Sequence, residues 1–590
     1  MNKIKLLLNN LLISTKISFK ASKSLFLLKL LLALINSILP LLSLLIWRGI
    51  INNIVITFSF SKAIVCLLFI YVIIDLVKRI TSQISDNISR RYNDKIIFYI
   101  EMQMMEKASL ISLEYFDDFA IGEKIVRTRN NFSTITNATW ELFSFISIII
   151  NLIISFIAIS FYKIELFLCA LVFLIPYSIY VHYNKNKSYN LELKNQRKKR
   201  ISDYIINSFY DNDIRFEMKV NNIDIPFLNK YKELNLSIYN DNNKFRKNNF
   251  IFKIIIGALN ILTEFLTIMI TGIDLITGKI LIGDFTYCIS LFANLKNNTS
   301  SLVNSVNTFA IYNKRILEIN EFLNLKPERE KSGNIQLYHL NKIEFKHVNF
   351  KYPNSELFIL KNCSFEINRN ERAAIVGING SGKSTIIKLL LRFYDVNSGE
   401  ILINDINIKE YDIYQLRRNF NVLFQDYVTY CLPIREIIAL SDFKEANNNE
   451  KIYNAAYKSG FYNIIQNWDN KFDTVLGRYY ADNGKDLSGG QWQLLSLSRT
   501  YFKNSKNIIL DEPSASLDVN HESQIFQTLY NSNDLNITLC ITHKLSNIIA
   551  STKIIVLNNG EVIEIGTHQE LLKNKNLYYH LFNTQKELYK

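Results

Sequence analysis

Apolar and polar positions follow two different rhythms along the chain. Up to about residue 325 the apolar residues form long runs, at 25–47, 63–77, 142–161, 166–183, 254–276 and 285–302, each of which reads as a membrane-spanning helix. Asn294, Lys296, Asn297 and Asn298 interrupt the last run, as suits a helix lining a wet cavity. The connections after the first, third and fifth runs are brief. Those at 78–141 and 184–250 are long, basic and helical in period, so the spanning helices are expected to continue well past the membrane surface. Breaks at 112–124 and 207–216, around Phe116 and Phe209, suit short transverse helices.

The rhythm changes after KPEREKSG, residues 326–333, which reads as the start of a linker spanning 326–339. Beyond it, strand-like runs at 343–352, 373–376, 401–408, 507–510 and 537–542 alternate with helix-like segments, which predicts an α/β domain with a largely parallel sheet over 340–590. Asn559-Gly560 marks a closing hairpin. The fold class expected is therefore an α-helical membrane domain over 1–325, with six transmembrane helices and long cytoplasmic extensions, followed by an α/β domain.

A formal net charge of +15 on 590 residues raises nucleic acid as a partner. The basic residues instead concentrate in the long loops, with Arg90, Arg91, Lys95 and Lys107 in one and Arg197, Lys198, Lys199 and Arg200 in the other. That is the pattern of positive-inside sorting, so the anionic partner is membrane lipid, not nucleic acid. Both long loops and both termini are placed in the cytoplasm, and the protein in the cell membrane. The lysine-rich start, Lys3 to Lys23, lacks a small-residue cleavage site, so the first run reads as a retained helix rather than a signal peptide. The six cysteines show no metal-type spacing, and reduced thiols are expected.

Lys29, Asp75, Glu264 and Asp274 are ionisable residues within the apolar runs. Lys29 can snorkel, and Asp75 can pair with Lys78 or Arg79 one turn on. Glu264 is expected to face a cavity or a partner helix, with an interhelical hydrogen bond as the alternative.

Candidate chemistry sits in the second region. GINGSGKST, from Gly377 to Thr385, follows a short apolar strand and opens a helical segment, as a P-loop requires. Gly377, Ile378, Asn379, Gly380, Ser381 and Gly382 can turn backbone N–H groups toward an anion, Lys383 adds a point charge, and Ser384 offers a hydroxyl to Mg²⁺, with Thr385 following. The strand at 507–510 delivers Asp511, a candidate Mg²⁺ holder, and Glu512, a candidate base for the attacking water. Another strand ends in His543. Leu487, Ser488, Gly489, Gly490 and Gln491 place bare N–H groups at a second helix N-terminus, a second anion site.

The P-loop, Gln425 in VLFQD, LSGGQ, ILDEPSASLD and His543 in ITHKLS occur in the order and approximate spacing of the ATP-binding cassette, and from about residue 340 the chain resembles ABC transporters. The resemblance implies that Tyr352, in FKYP, stacks on adenine, that Gln425 reaches Mg²⁺ and senses the γ-phosphate, and that Asp518 communicates across a cassette dimer. It also implies that LSGGQ caps the nucleotide held by a partner's P-loop. One membrane half with one cassette resembles an exporter-type half-transporter, so a homodimer binding ATP and Mg²⁺ is expected. LGRYYADNGKDLSGGQWQ, FQDYVTY and DEPSASLD are similar to the nisin-type lantibiotic and bacteriocin exporters, which implies an exported, modified cationic precursor peptide with its leader attached, peptide-modifying enzymes as further partners, and a leader removed by another protein, since no cysteine precedes Cys66. Lipid or multidrug export is the alternative cargo, and a non-transporting ATP-binding membrane sensor the alternative of another class.

Overall fold

The computed structural model describes residues 2–57, 62–117, 133–162, 164–328, 332–353, 355–477, 483–513, 517, 519–531 and 535–588. They form two compact units, Met1–Ala108 with Lys124–Leu325, and Ser109–Glu123 with Lys326–Lys590.

The first unit is helical. After α1 (Asn2–Ala21), the six apolar runs fall on α2 (Lys23–Thr57), α3 (Lys62–Leu110), α5 (Ser133–Ser160), α6 (Ile164–Tyr210), α8 (Asp224–Ile276) and α9 (Ile282–Leu323). Two short helices intervene, α4 (Glu114–Asp117) and α7 (Asn212–Asn221), near the two predicted breaks. Residues 118–124 of the first break lie outside the described residues. Among those described, α2, α5 and α8 are long and apolar enough to cross a membrane by themselves. The apolar stretch of α3 is shorter, and that of α9 is broken by its asparagines and lysine.

The unit has an apolar core that includes Leu41, Ile159, Leu291 and Phe292, but along α8 the polarity is inverted relative to a water-soluble bundle. On α8, Ile261 and Phe265 are 68% and 57% exposed while Thr263, Thr267 and Thr271 are buried. The buried hydroxyls of Thr267 and Thr271 donate to the carbonyls one turn back, at 2.9 and 2.8 Å, so the seam carries no unsatisfied donor there. Ser18 of α1 likewise shares a 2.6 Å hydrogen bond with Thr139 of α5.

The ionisable residues of the apolar runs all have partners. Glu264 forms an ion pair with Lys296, whose side chain is 5% exposed, so the interhelical contact holds and the charge is compensated by a residue read from sequence only as an interruption. Lys29 does not snorkel: its ammonium donates to Ser85 Oγ and Ser89 Oγ at 2.5 and 2.6 Å and lies 5.3 Å from the Trp140 ring. Asp75 accepts from Arg79 at 2.8 Å, and Lys279 lies 3.8 Å from Asp274.

The second unit contains two sheets. β1 (Lys342–Phe350), β2 (Leu360–Asn368), β4 (Ser398–Ile403) and β5 (Ile406–Asn407) form an antiparallel sheet in the order β2-β1-β4-β5. The second sheet, β10-β9-β3-β8-β7-β6, is parallel except for its terminal hairpin of β9 (Lys553–Asn558) and β10 (Glu561–Gly566). The antiparallel sheet was not foreseen, because alternation in a single strand carries no information on partner direction.

α10 (Lys383–Leu390) buries Ile386, Leu389 and Leu390 in a core that draws on both sheets. The segment read as a linker also enters this core through Leu337, at 4% exposure, and is followed there by Leu340 at 1%. Gly333 permits that approach, since a Cβ there would lie 2.0 Å from the Glu410 backbone. The α4 segment belongs to this unit too: Ile111 bridges to Pro327, and Asp117 accepts from the Tyr394 hydroxyl.

Candidate functional site

The site follows from strand order. β3 (Arg372–Gly377), β8 (Ile537–Ile541), β7 (Asn507–Asp511) and β6 (Asn421–Leu423) lie side by side and parallel, so the four segments leaving their C-terminal ends emerge on one edge. Those segments are the P-loop, His543, Glu512 and Gln425.

The P-loop has an exposed rim, Ile378, Asn379 and Gly380, over a buried floor, Ser381, Gly382 and Lys383. Gly382 caps α10 at φ +100, and a Cβ there would meet Leu360 at 2.7 Å, so both conformation and space require glycine. The Lys383 ammonium donates to the carbonyls of Gly377 and Ile378 at 2.9 and 3.0 Å. Burial lowers its pKa, against the opposing pull of Glu512 and Asp511. Ser381 Oγ is buried and makes no hydrogen bond, an orphan inside the loop that suits an anionic oxygen.

Asp511, at the end of β7, is 4% exposed. Burial pushes its carboxyl up to about 6; the Ser384 hydrogen bond and Lys383 act downward, Glu512 and Asp426 upward. Its Oδ1 has no hydrogen-bond partner. A buried carboxylate oxygen without a partner, on a carboxylate bonded to a hydroxyl, is a hard-oxygen pair that fits a small divalent cation whose remaining ligands come from water and phosphate.

Glu512 is where the predicted catalytic residues meet. Its Oε1 lies 2.7 Å from His543 Nε2, and its Oε2 accepts from Gln425 Nε2 at 3.0 Å. Its backbone is left-handed, φ +50, which costs a non-glycine residue about 1 kcal/mol. Two bonds fix that conformation: Glu512 N donates to Ile541 O at 2.9 Å, and Gln493 Nε2 donates to Glu512 O at 3.2 Å. A carboxylate clamped at both oxygens and across its backbone can orient a water toward the P-loop.

Sequence reasoning gave Gln493 no role, since its only signal was a polar residue on the buried face of a helix. It missed Gln585 as well. From the C-terminal helix α12 (Leu577–Leu588), Gln585 donates to His543 O at 2.6 Å and accepts from Leu545 N at 2.9 Å, holding the loop that carries the histidine.

The LSGGQ stretch opens α11 (Gly489–Phe502). Ser488 and Gln491 form a capping box, with Gln491 N donating to Ser488 Oγ at 3.4 Å and Ser488 N to Gln491 Oε1 at 2.9 Å. Ser488 and Gly489 are exposed, Leu487 and Gly490 half-buried, so this helix N-terminus faces outward. Tyr427 ties it to the Gln425 segment by donating to Gly489 O at 2.7 Å.

Tyr352 follows β1. Its hydroxyl shares a 3.1 Å hydrogen bond with Thr385, and its ring meets that of Tyr394 edge-on at 5.2 Å, which places an aromatic beside the P-loop helix. Asp518 lies outside the described residues.

Comparison with known proteins gives these motifs a family. The family model for ABC transporters matches residues 360–515. The subtilin transport ATP-binding protein SpaT of Bacillus subtilis is 30% identical over 95% of this chain and 92% of its own length. The chain belongs to the ABC transporters. It is an exporter-type half-transporter, and its cassette is an ATPase coupled to transport, so the sensor alternative is set aside. The nisin transport ATP-binding protein NisT of Lactococcus lactis subsp. lactis is 29% identical over 97% of this chain and 95% of its own. A bacterial Atm1-family ABC exporter with ATP bound has the same fold, with TM-score 0.81 over 95% of this chain and 98% of that one, at 21% identity. The ABC exporter fold accounts for both units, a helical membrane domain and an ATP-binding cassette, and implies a dimer.

Proposed function

We propose that this half-transporter exports a peptide, a lantibiotic- or bacteriocin-like precursor, across the cytoplasmic membrane by alternating access. The observation that carries the reading is similarity to subtilin and nisin transport proteins over nearly the whole chain, membrane domain included. Two copies act together, with both termini and the cassettes in the cytoplasm, on the orientation given by the basic loops.

In the cassette, Lys383 and the backbone of residues 377–382 hold the ATP phosphates, and Tyr352 stacks on adenine. Ser384, Asp511 and Gln425 would hold Mg²⁺, which when bound would supply positive charge beside the phosphates. Glu512 orients and polarises the attacking water, with Gln425 and His543 fixing its two oxygens. LSGGQ of one copy caps the nucleotide of the other through the exposed N-terminus of α11, and Asp518 communicates across that interface. The domain boundaries follow: a membrane domain at 1–325, a connection at 326–339 and a cassette at 340–590.

The test is export from cells carrying this chain with a lanthionine-modified precursor peptide. Secretion of the precursor with its leader attached is expected, abolished by Glu512→Gln. Retention of the peptide, together with efflux of lipids or drugs by the same cells, would replace the cargo assignment with the alternative.

A further inference from the structure

An open groove of about 780 Å³ runs in the helical unit between α6 and α9, within the size range of small-ligand and peptide-segment sites. Its walls combine apolar side chains, among them Val306, with a polar set from α6, His182, Asn186, Lys187 and Asn190, and Asn307 from α9. Among the described residues no carboxylate lines it. On the orientation proposed above it lies at the cytoplasmic ends of the fourth and sixth spans.

The polar set is ordered yet has capacity left. The His182 ring shares hydrogen bonds with Asn307 Oδ1 at 3.1 Å and Asn186 Nδ2 at 3.0 Å. The Lys187 ammonium donates to the Tyr183 hydroxyl at 2.9 Å and sits 5.1 Å from that ring, which holds the cation at the wall with donors to spare. A second cation, Lys185, is anchored on Thr308 at 3.1 Å beside the groove. Glu192, further along α6, pairs with Arg315 at 3.2 Å.

We infer that this groove binds a carboxylate-bearing, amphipathic segment of the exported peptide, with Lys187 as the counter-charge and Val306 in the apolar wall. The inference rests on the proposed peptide cargo and adds its chemical class at one subsite. A second copy of the chain is the poorer occupant, because it carries a formal net charge of +15. Lipid is poorer too, because the amides of Asn186, Asn190 and Asn307 both donate and accept, as a peptide backbone does and a lipid phosphate does not. Glu264, the carboxylate within the fifth apolar run, is ion-paired with Lys296.

The experiment uses the full chain in phosphatidylcholine discs, with exposed Cys66 and Cys431 replaced by serine and an environment-sensitive fluorophore on Val306→Cys. The probes are an amphipathic peptide bearing glutamates and its glutamine counterpart. The glutamate peptide is expected to shift the fluorescence and to bind roughly tenfold more tightly than the glutamine one. Lys187→Gln should erase that difference, and Lys187→Arg should keep it. Equal binding of the two peptides, or a preference that survives Lys187→Gln, overturns the inference. So does a fluorophore already buried by the second copy, or a signal produced by phosphatidylglycerol in place of peptide. If cells export the precursor while these peptides fail to discriminate, the subsite falls and the cargo stands; if no peptide is exported or bound, the cargo reading itself falls.

Discussion

The left-handed backbone of Glu512 shows what the site asks of a single residue. A non-glycine at φ +50 persists because Ile541 and Gln493 hold its peptide groups while Gln425 and His543 hold its carboxylate. Replacing Glu512 by Gln preserves shape and both neighbours but removes the charge that polarises water. Turnover should fall roughly 10²-fold or more with ATP binding intact, measured as phosphate release beside nucleotide affinity. Near-normal release from the purified variant would remove Glu512 from that role. Asp511 carries a cost of a different kind. Burial pushes its carboxyl up to about 6, above the ordinary aspartate value of about 3.9, so the fold binds the proton more tightly than the open chain does. That contribution favours the fold below about pH 4 and is lost as pH rises through 6. At pH 7.5 the buried anion should therefore cost about 2 to 3 kcal/mol. Asp511→Asn should raise the thermal midpoint of the nucleotide-free protein at pH 7.5, with the gain gone by pH 4, while Mg²⁺ no longer strengthens ATP binding. An unchanged midpoint at pH 7.5 would mean that the carboxylate is better solvated than its burial indicates.

Among the elements, contiguous chemistry was legible in the sequence and tertiary chemistry was not. The P-loop and LSGGQ each do their work within one loop and the helix it opens, so spacing alone located them, and the Asn559-Gly560 hairpin is local in the same sense. Gln493 and Gln585 act on residues 19 and 42 positions away, at a backbone carbonyl and a loop, and no spacing encodes such a contact. The same holds for Glu264 and Lys296, 32 positions apart on neighbouring helices: each was visible as an oddity, and only packing made them a pair. At residues 112–124 the pattern predicted a short helix, and in the part that is described, 112–117, α4 is there, joined to the cassette unit by the Asp117–Tyr394 hydrogen bond. Tyr394 meets Tyr352, which in turn bonds Thr385 at the start of the P-loop helix. Tyr394→Phe keeps the ring and drops the bond to Asp117. It should leave ATP affinity near wild type while lowering the stimulation of ATPase by cargo several-fold, since a part-buried hydrogen bond to a charged group is lost with the ring kept in place. Basal and stimulated rates falling in equal proportion would make Tyr394 merely a support for the adenine side of the site.

For the molecule as a whole, the decisive fact is that each cassette carries two anion sites that point to different users. The P-loop is a buried cradle that meets Asp511 and Glu512 of its own chain, whereas the N-terminus of α11 is capped by its own Ser488 and Gln491 and exposed. An exposed helix N-terminus with glycine backbone suits a phosphate brought by another molecule, and a half-transporter supplies that molecule as its second copy. On the proposed trans arrangement two composite sites would form, each built from one chain's P-loop and the other's LSGGQ. Lys383→Ala removes the cradle's charge and should weaken ATP binding directly, while Ser488→Arg fills the capping surface and should spare binding but block turnover. Either homodimer then has both sites damaged. A heterodimer of the two variants concentrates both lesions in one composite site and leaves the other whole, so tagged heterodimers isolated by sequential affinity steps should recover a substantial part of one site's ATPase. Activity no higher than that of either homodimer would show either that the cap acts within its own chain or that the two sites fire only together. Those outcomes separate in the heterodimer of wild type with the double variant Lys383→Ala/Ser488→Arg, where each composite site carries one lesion: a cap acting in cis leaves the wild-type cassette active, and a cap acting in trans leaves neither.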